Sequence, residues 1–186
     1  MKIPVVGRGN VGSLLADLWG RSGHEVTTIG RDGADVSEAD AVLLAVPGEA
    51  ISDALDGLWG RQGKTVLIDP TNLLGVSPPE GFPSNAEWVK TRTGGPTAKA
   101  FNTIPAAVYG RLDETTSRPN NLWCGDEEAR EAVELLSRDA GFESLYAGPL
   151  ENAAEQEALA TGNLISSVFE GLGEPFMYRF APPDRL

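Results

Sequence analysis

Six residues near the start of the chain, Gly7-Arg8-Gly9-Asn10-Val11-Gly12, have the spacing of a loop that cradles phosphate. In a G-x-G-x-x-G turn the first glycine permits a tight bend. The second lets backbone approach a pyrophosphate, and the third lets the following helix pack closely on its strand. The amide N–H groups that open that helix then face the anion, and the helix dipole favours it. Gly7 to Gly12, with Arg8, Asn10 and Val11 inside the loop, are therefore candidate dinucleotide ligands. Arg31 is a second candidate. An NAD-binding unit carries Asp or Glu at the end of its second strand to bind the ribose hydroxyls. Here that corner is Ile29-Gly30-Arg31-Asp32, and a guanidinium matches the 2′-phosphate of NADP, with Arg8 helping from the other side.

Polar residues suited to a redox ring sit further along. Asn72 follows Asp69-Pro70-Thr71 in a loop with prolines at 70, 78, 79 and 83; Thr71 and Asn72 read equally as ligands or as turn residues. Asn102 and Thr103 end an apolar run begun at Ala98, where they can orient a carboxamide or an acceptor ring. Acid–base chemistry has few candidates. The one histidine, His24, lies in a turn on the wrong side of the first helix and reads as structural. Lys99 is expected to point away from the site by strand alternation, and the one cysteine, Cys124, reads as a small buried hydrophobe within a strand.

The elements that must hold these residues alternate between strand and helix. Strand Ile3 to Val6, a helix to about Ser22 and a strand ending at Ile29 form a βαβ unit around the glycine loop. Residues 32–40 are too few for a helix and a third strand, so Ala34-Asp35-Val36 reads as a vestige of that strand. Ala41 to Val46 is a continuous apolar run, as expected of a strand buried on both faces, and Pro47-Gly48 closes it at the carboxyl edge. A helix over 49–59, a strand over 65–69 and a helix capped by Ser84 and running to about Thr93 continue the pattern. Strands over 98–103, 122–125 and 144–147 follow, with Pro105 opening one helix and another spanning 126–140. A last helix spans about 151–172, and its stripe of Leu164, Ile165, Val168, Phe169 and Leu172 reads as core or as a homodimer contact. The expected fold is α/β: a Rossmann-type, doubly wound, mainly parallel sheet in one domain over 1–186, shortened between its second and fourth strands.

Bulk properties narrow the function further. With 41% apolar and 23% charged residues the chain has an ordinary globular balance. A net charge of −12 argues against nucleic acid and against an anionic membrane surface, so an anionic cofactor must be held by local positive groups. No apolar run reaches the roughly 18–20 residues that cross a bilayer. The N-terminus enters a strand instead of a signal peptide, and a single cysteine forms no internal disulfide; a cytoplasmic protein is the expectation.

These stretches together resemble the NADPH-dependent reductases of the deazaflavin coenzyme F-420 and the related NADPH-binding domain of membrane metalloreductases. The resemblance is carried by GRGNVG with Gly23-His24-Glu25-Val26, the Arg31 corner, AVP at 45–47 and KAFNTIPA at 99–106. Cys124-Gly125-Asp126, Gly148-Pro149-Leu150 and Ala153 with Glu157 extend it along nearly the whole chain. It implies NADP on Gly7 to Gly12, with Arg31 on its phosphate. The nicotinamide would lie near Val46, Pro47 and Asn102, Thr103 and Ile104, and an acceptor ring (coenzyme F-420, FMN or FAD) would stack outside it. The chain departs from this pattern in its short 32–40 segment, which removes one wall beside the adenine, and in the run leading to the KAFNT strand.

Hydride transfer between two redox rings needs chiefly proximity and orientation, because the rings carry the electronic work. The scarcity of acid–base residues accords with that chemistry. Two alternatives stay open: an NADPH-dependent reductase of a small organic substrate, and a non-catalytic NADP sensor. Imine, hydroxyacid and pyrroline-carboxylate reductases share the N-terminal motif but usually add a large helical domain, for which 186 residues leave little room.

Overall fold

Residues 1–185 are described by a computed structural model. Strand β1 (Lys2–Val6), helix α1 (Asn10–Arg21) and strand β2 (Glu25–Ile29) form the expected crossover, with β1 and β2 paired in parallel from Lys2↔Glu25 to Val6↔Ile29. The chain then passes β3 (Ala34–Asp35), β4 (Ala41–Leu44), α2 (Ile51–Asp56), β5 (Leu58–Trp59), β6 (Val66–Asp69), α3 (Asn85–Thr93) and β7 (Thr97–Lys99). β8 (Asn120–Gly125), α4 (Arg130–Asp139), β9 (Glu143–Tyr146), α5 (Ala153–Thr161) and α6 (Asn163–Leu172) complete it.

The main sheet has the order β2-β1-β4-β6-β7-β8-β9, parallel at every pairing except β7 with β8. This is the expected α/β, Rossmann-like architecture. The apolar run at β4 explains the two layers around it. Ala41 and Leu43 enter one core with Ile3, Val5, Leu15 and Trp19, while Val42 and Leu44 enter another with Val6, Ile29, Ile51 and Leu55. Successive side chains alternate across the strand, so a sheet covered on both faces must be apolar at every position. The Trp19 indole donates to the Leu136 carbonyl (2.9 Å), tying α1 to α4. Helix α3 is capped as expected: the Ser84 hydroxyl accepts from the Glu87 amide, and Gly94 ends the helix in the left-handed conformation.

Several features differ from the sequence reading. Ala34–Asp35 is not a strand of the main sheet; it pairs with Leu58–Trp59 in a separate two-stranded ladder. There the short 30–40 segment is pinned by backbone contact, since a Cβ on Gly33 would fall 2.0 Å from the Gly57 carbonyl oxygen. The helix expected over 49–59 accordingly ends at Asp56, where the chain turns into that ladder. The KAFNT strand stops at Lys99, and Ala100 to Thr103 leave it as a turn. The β8–α4–β9 unit is internally parallel but inverted against the rest, because β8 runs antiparallel to β7.

The last helix is two. Gly162 separates α5 from α6 with extended dihedrals, at a place where a Cβ would lie 2.6 Å from the Ala158 carbonyl oxygen. Of the apolar stripe, Val168, Phe169 and Leu172 are not core, being 38%, 45% and 58% exposed, while Ile165 is half-buried. The side chain of Leu164 lies outside the described residues.

Candidate functional site

The order of strands reverses between β1 and β4, and in open α/β sheets ligands collect in the crevice at that point. The glycine loop sits there. Gly7 has φ +105°, and a Cβ on it would meet the Ala45 carbonyl oxygen at 2.1 Å, so the loop crosses β4's end in backbone contact. A Cβ on Gly12 would fall 2.8 Å from the Gly7 carbonyl oxygen and 3.1 Å from the Ala45 Cβ, so α1 is seated directly on the same corner. Gly9 behaves differently. Its backbone is extended (φ −76°, ψ −179°), and a Cβ there would have no atom within 4 Å. It is the N-cap of α1, makes no side-chain cap, and is followed by no acidic residue in the first turn.

The opening amides of a helix lack intrahelical partners, so this open face over Gly9, Asn10 and Val11 is chemically fit for a phosphate. The adjacent corner carries two cations. The Arg8 guanidinium lies over Gly30 at the end of β2, about where a Cβ would touch it at 3.4 Å. Arg31 follows, exposed. Among the described residues neither is recorded in an ion pair with a carboxylate.

A pocket of about 180 Å³ continues from the loop along the carboxyl edge, lined by Val11, Asn72, Phe101, Asn102, Thr103 and Ile104, and closed by Ala160 of α5 and Ile165 of α6. The structure thus gathers Val11, Asn72, Asn102, Thr103 and Ile104 around one space. Val46, half-buried, and Pro47, exposed, stand at the end of β4 beside Gly7 and do not line it. Thr71 is structural: its amide donates to Asp69 Oδ1 (2.8 Å) and its hydroxyl accepts from Asn85 Nδ2 (3.0 Å). A shallower groove of about 710 Å³ between α4 and β9 is lined by Arg118, Arg138 and the carboxylates Glu131, Glu134 and Glu143. It holds none of the loop residues, and its charges are mixed.

Phe101, like Ala160 and Ile165, is a pocket residue that sequence reasoning missed. It is the non-glycine residue with positive φ (63°) among those described. Its amide donates to Asn121 Oδ1 (2.9 Å) and its carbonyl accepts from the Tyr109 hydroxyl (2.9 Å). Its ring is held edge-on against Trp19 and Phe142 in the core. This left-handed residue turns the backbone so that its ring goes inward and Asn102-Thr103-Ile104 face the pocket; strain of this kind persists only where the surroundings over-determine it. Burial pushes the Tyr109 phenol up, which keeps it a neutral donor.

Behind the pocket lies a buried ionic cluster. Lys99 does not line the pocket; its Nζ contacts Asp69 Oδ2 (3.0 Å), Glu157 Oε2 (2.9 Å) and the Thr71 carbonyl. Both Lys99 and Asp69 are fully buried. Glu157 also accepts from the Leu73 amide, so one carboxylate on α5 holds both the lysine and the 70–73 loop. His24 is structural, as expected, bridging the N-terminal amine (3.2 Å) and Asp139 (3.0 Å). Cys124 is buried, its thiol pushed up to about 12 by desolvation, and it is inert as a nucleophile. Among the described residues no group of three or more acids, histidines or cysteines is placed to hold a metal, and no helix is long and apolar enough to cross a membrane.

Fold and crevice together define a Rossmann-like α/β domain. The chain is similar in structure to a protein of Arthrobacter sp. FB24 provisionally named an F-420-dependent NADP reductase, at 21% identity over 98% of this chain and 100% of that one, with a TM-score of 0.77. It is similar to a hypothetical protein of Sinorhizobium meliloti (23% identity, 88% and 91% covered, TM-score 0.69). It also matches the reductive aminase of Aspergillus terreus, solved with NADPH (16% identity, TM-score 0.66), covering 92% of this chain but 62% of the aminase. No family model matches the chain.

Proposed function

We propose that the chain is an NADP(H)-dependent oxidoreductase that passes hydride between the nicotinamide and a deazaflavin (coenzyme F-420) or flavin (FMN or FAD) acceptor. The observation that carries this reading is the lining of the 180 Å³ pocket: amide, hydroxyl and apolar groups, with no titratable side chain among them. Reduction of an imine or a carbonyl needs a positioned proton donor, whereas hydride exchange between two planar rings does not. Lys99, which could otherwise serve as an acid, is held in its ion pairs and does not line the pocket. The structural neighbours support the NADP(H) part of this reading: one is named for F-420 and NADP, another was solved with NADPH.

Bound here, NADPH would supply the hydride. Gly7 to Gly12 would hold the pyrophosphate, Arg8 and Arg31 the 2′-phosphate, and Val46, Pro47 and Asn72 with Asn102, Thr103 and Ile104 would frame the nicotinamide. Ligand pockets usually enclose roughly 300–1,000 Å³. A space of about 180 Å³ accommodates one ring, so the acceptor would stack from the open side.

Mixing the protein with NADPH and, in turn, coenzyme F-420, FMN or FAD and following nicotinamide absorbance tests this directly. Turnover with at least one is expected; tight NADPH binding with turnover by none would replace the proposal with a sensor. Two variants test the ligand assignments. Gly9→Val is expected to leave the thermal midpoint nearly unchanged, since its backbone suits any residue and its Cβ meets nothing. Calorimetry should nonetheless show NADPH binding weakened by at least about tenfold, because the side chain fills the phosphate's approach. Arg31→Ala should cut the NADPH/NADH preference in kcat/KM by about 10–100-fold, the usual worth of a charge-assisted bond. An unchanged preference would remove Arg31 from the phosphate site.

A further inference from the structure

Asn72 and Asn102 clasp each other across the pocket wall: Asn72 Nδ2 donates to the Asn102 carbonyl (2.8 Å), and Asn102 Nδ2 donates to Asn72 Oδ1 (3.1 Å). Which way the Asn102 amide faces is fixed elsewhere. Gln156 on α5 is buried, and its Nε2 lies 2.7 Å from Asn102 Oδ1. The same nitrogen lies 3.1 Å from the carbonyls of Lys99 and Leu122. Three acceptors surround that nitrogen, so turning the Gln156 amide over would set oxygen against oxygen at each of them. Amide orientation is decided by such a network. Backbone carbonyls of β7 and β8 therefore orient Gln156, Gln156 holds the Asn102 oxygen on the buried side, and the Asn102 nitrogen is left on the side of Asn72.

We infer that Gln156 is a positioning residue: by fixing this polarity it makes the clasp present amide N–H donors, and so selects a ligand with a carbonyl oxygen at the pocket. Each carboxamide nitrogen carries two hydrogens, and each spends one inside the clasp. The remaining hydrogen on each is offered to an acceptor, and on the reading that the pocket holds nicotinamide, that acceptor is its carboxamide oxygen. Gln156 does not line the pocket; it acts through Asn102.

The test is equilibrium binding of three probes to the full chain: NADP⁺, its thionicotinamide analogue, whose sulfur is a weak acceptor, and adenosine 2′,5′-bisphosphate, which lacks the nicotinamide half. The wild type should prefer NADP⁺ over the thio analogue by about tenfold, the worth of a well-made hydrogen bond. Gln156→Met should reduce that preference to below about threefold while leaving the bisphosphate affinity within about twofold, an outcome that general structural damage would not give. Asn102→Asp keeps an acceptor for Gln156 and removes the donor nitrogen, so it should lose the same preference; it decides the matter should Gln156→Met not fold. A wild type that binds the bisphosphate but does not distinguish the two dinucleotides, or a folded variant that keeps the full preference, overturns the inference. Absence of bisphosphate binding in the wild type overturns the NADP proposal instead.

Discussion

Lys99→Met is expected to cost the fold about 3–5 kcal/mol, the usual penalty for removing one partner of a buried ion pair. The lysine and Asp69 are fully buried, and Glu157 is nearly so (6% exposed). Without the ammonium, two carboxylates face each other with no cation between them. For a chain of this length that loss lowers the thermal midpoint by about 6–20 °C, measurable by calorimetry. The cause can be isolated. In the triple variant Lys99→Met, Asp69→Asn, Glu157→Gln no buried charge remains unpaired, so a large part of the loss should return, as buried ion pairs generally exchange for neutral groups at little cost. If the triple variant is less stable than Lys99→Met alone, the cluster's role is hydrogen bonding and packing rather than charge balance.

Gly7→Ala is the second large effect. At φ +105° an alanine pays left-handed strain, and its Cβ would be driven to 2.1 Å from the Ala45 carbonyl oxygen, a backbone atom that cannot swing aside. Strain and overlap each cost about 1–3 kcal/mol, on the order of 3 kcal/mol together. The midpoint should fall by about 6–12 °C. NADPH binding should be lost as well, because the loop must lift off β4 and carry the start of α1 with it. This separates Gly7 from Gly9: substitution at the first damages fold and binding together, and at the second binding alone. Equal thermal losses at both positions would refute the division of labour.

The parts of the molecule that were legible in the sequence are those written in local pattern. The βαβ unit around Gly7 to Gly12, the two-faced burial of β4 and the Ser84 cap follow from spacing and residue type within a dozen positions. The retirement of His24 and Cys124 to structural roles followed from their places in a turn and a strand. The misread parts depend on distant partners. Ala34–Asp35 stands where a third strand of the sheet is expected, but its partner is Leu58–Trp59, beside the close approach of Gly33 to Gly57. The antiparallel entry of β8 leaves no mark on its composition. The turn after Lys99 is set by Phe101, held left-handed by Asn121 and Tyr109, and no rule of propensity puts a phenylalanine there.

For the site, the polar residues of the pocket wall were visible as polar residues at strand ends, and their clasp was not. One signal did exist for the α5 contribution. Gln156 and Glu157 interrupt an alanine-rich face that includes Ala153 and Ala160, and small residues flanking two polar ones mark a helix that comes close to buried partners. What those partners are requires the fold.

Chain order gives the Lys99 cluster a temporal side. Lys99 and Asp69 are neighbours across adjoining strands, while Glu157 comes 58 residues after the lysine. During synthesis at about 5–20 residues per second, the lysine waits about 3–12 s for its second carboxylate. Throughout that interval Asp69 alone balances the ammonium, and Glu157 then arrives as a second carboxylate on a lysine that is already paired. The nucleotide loop, made entirely by the first 46 residues and their strand partners, can be in shape well before the helix that closes the far end arrives.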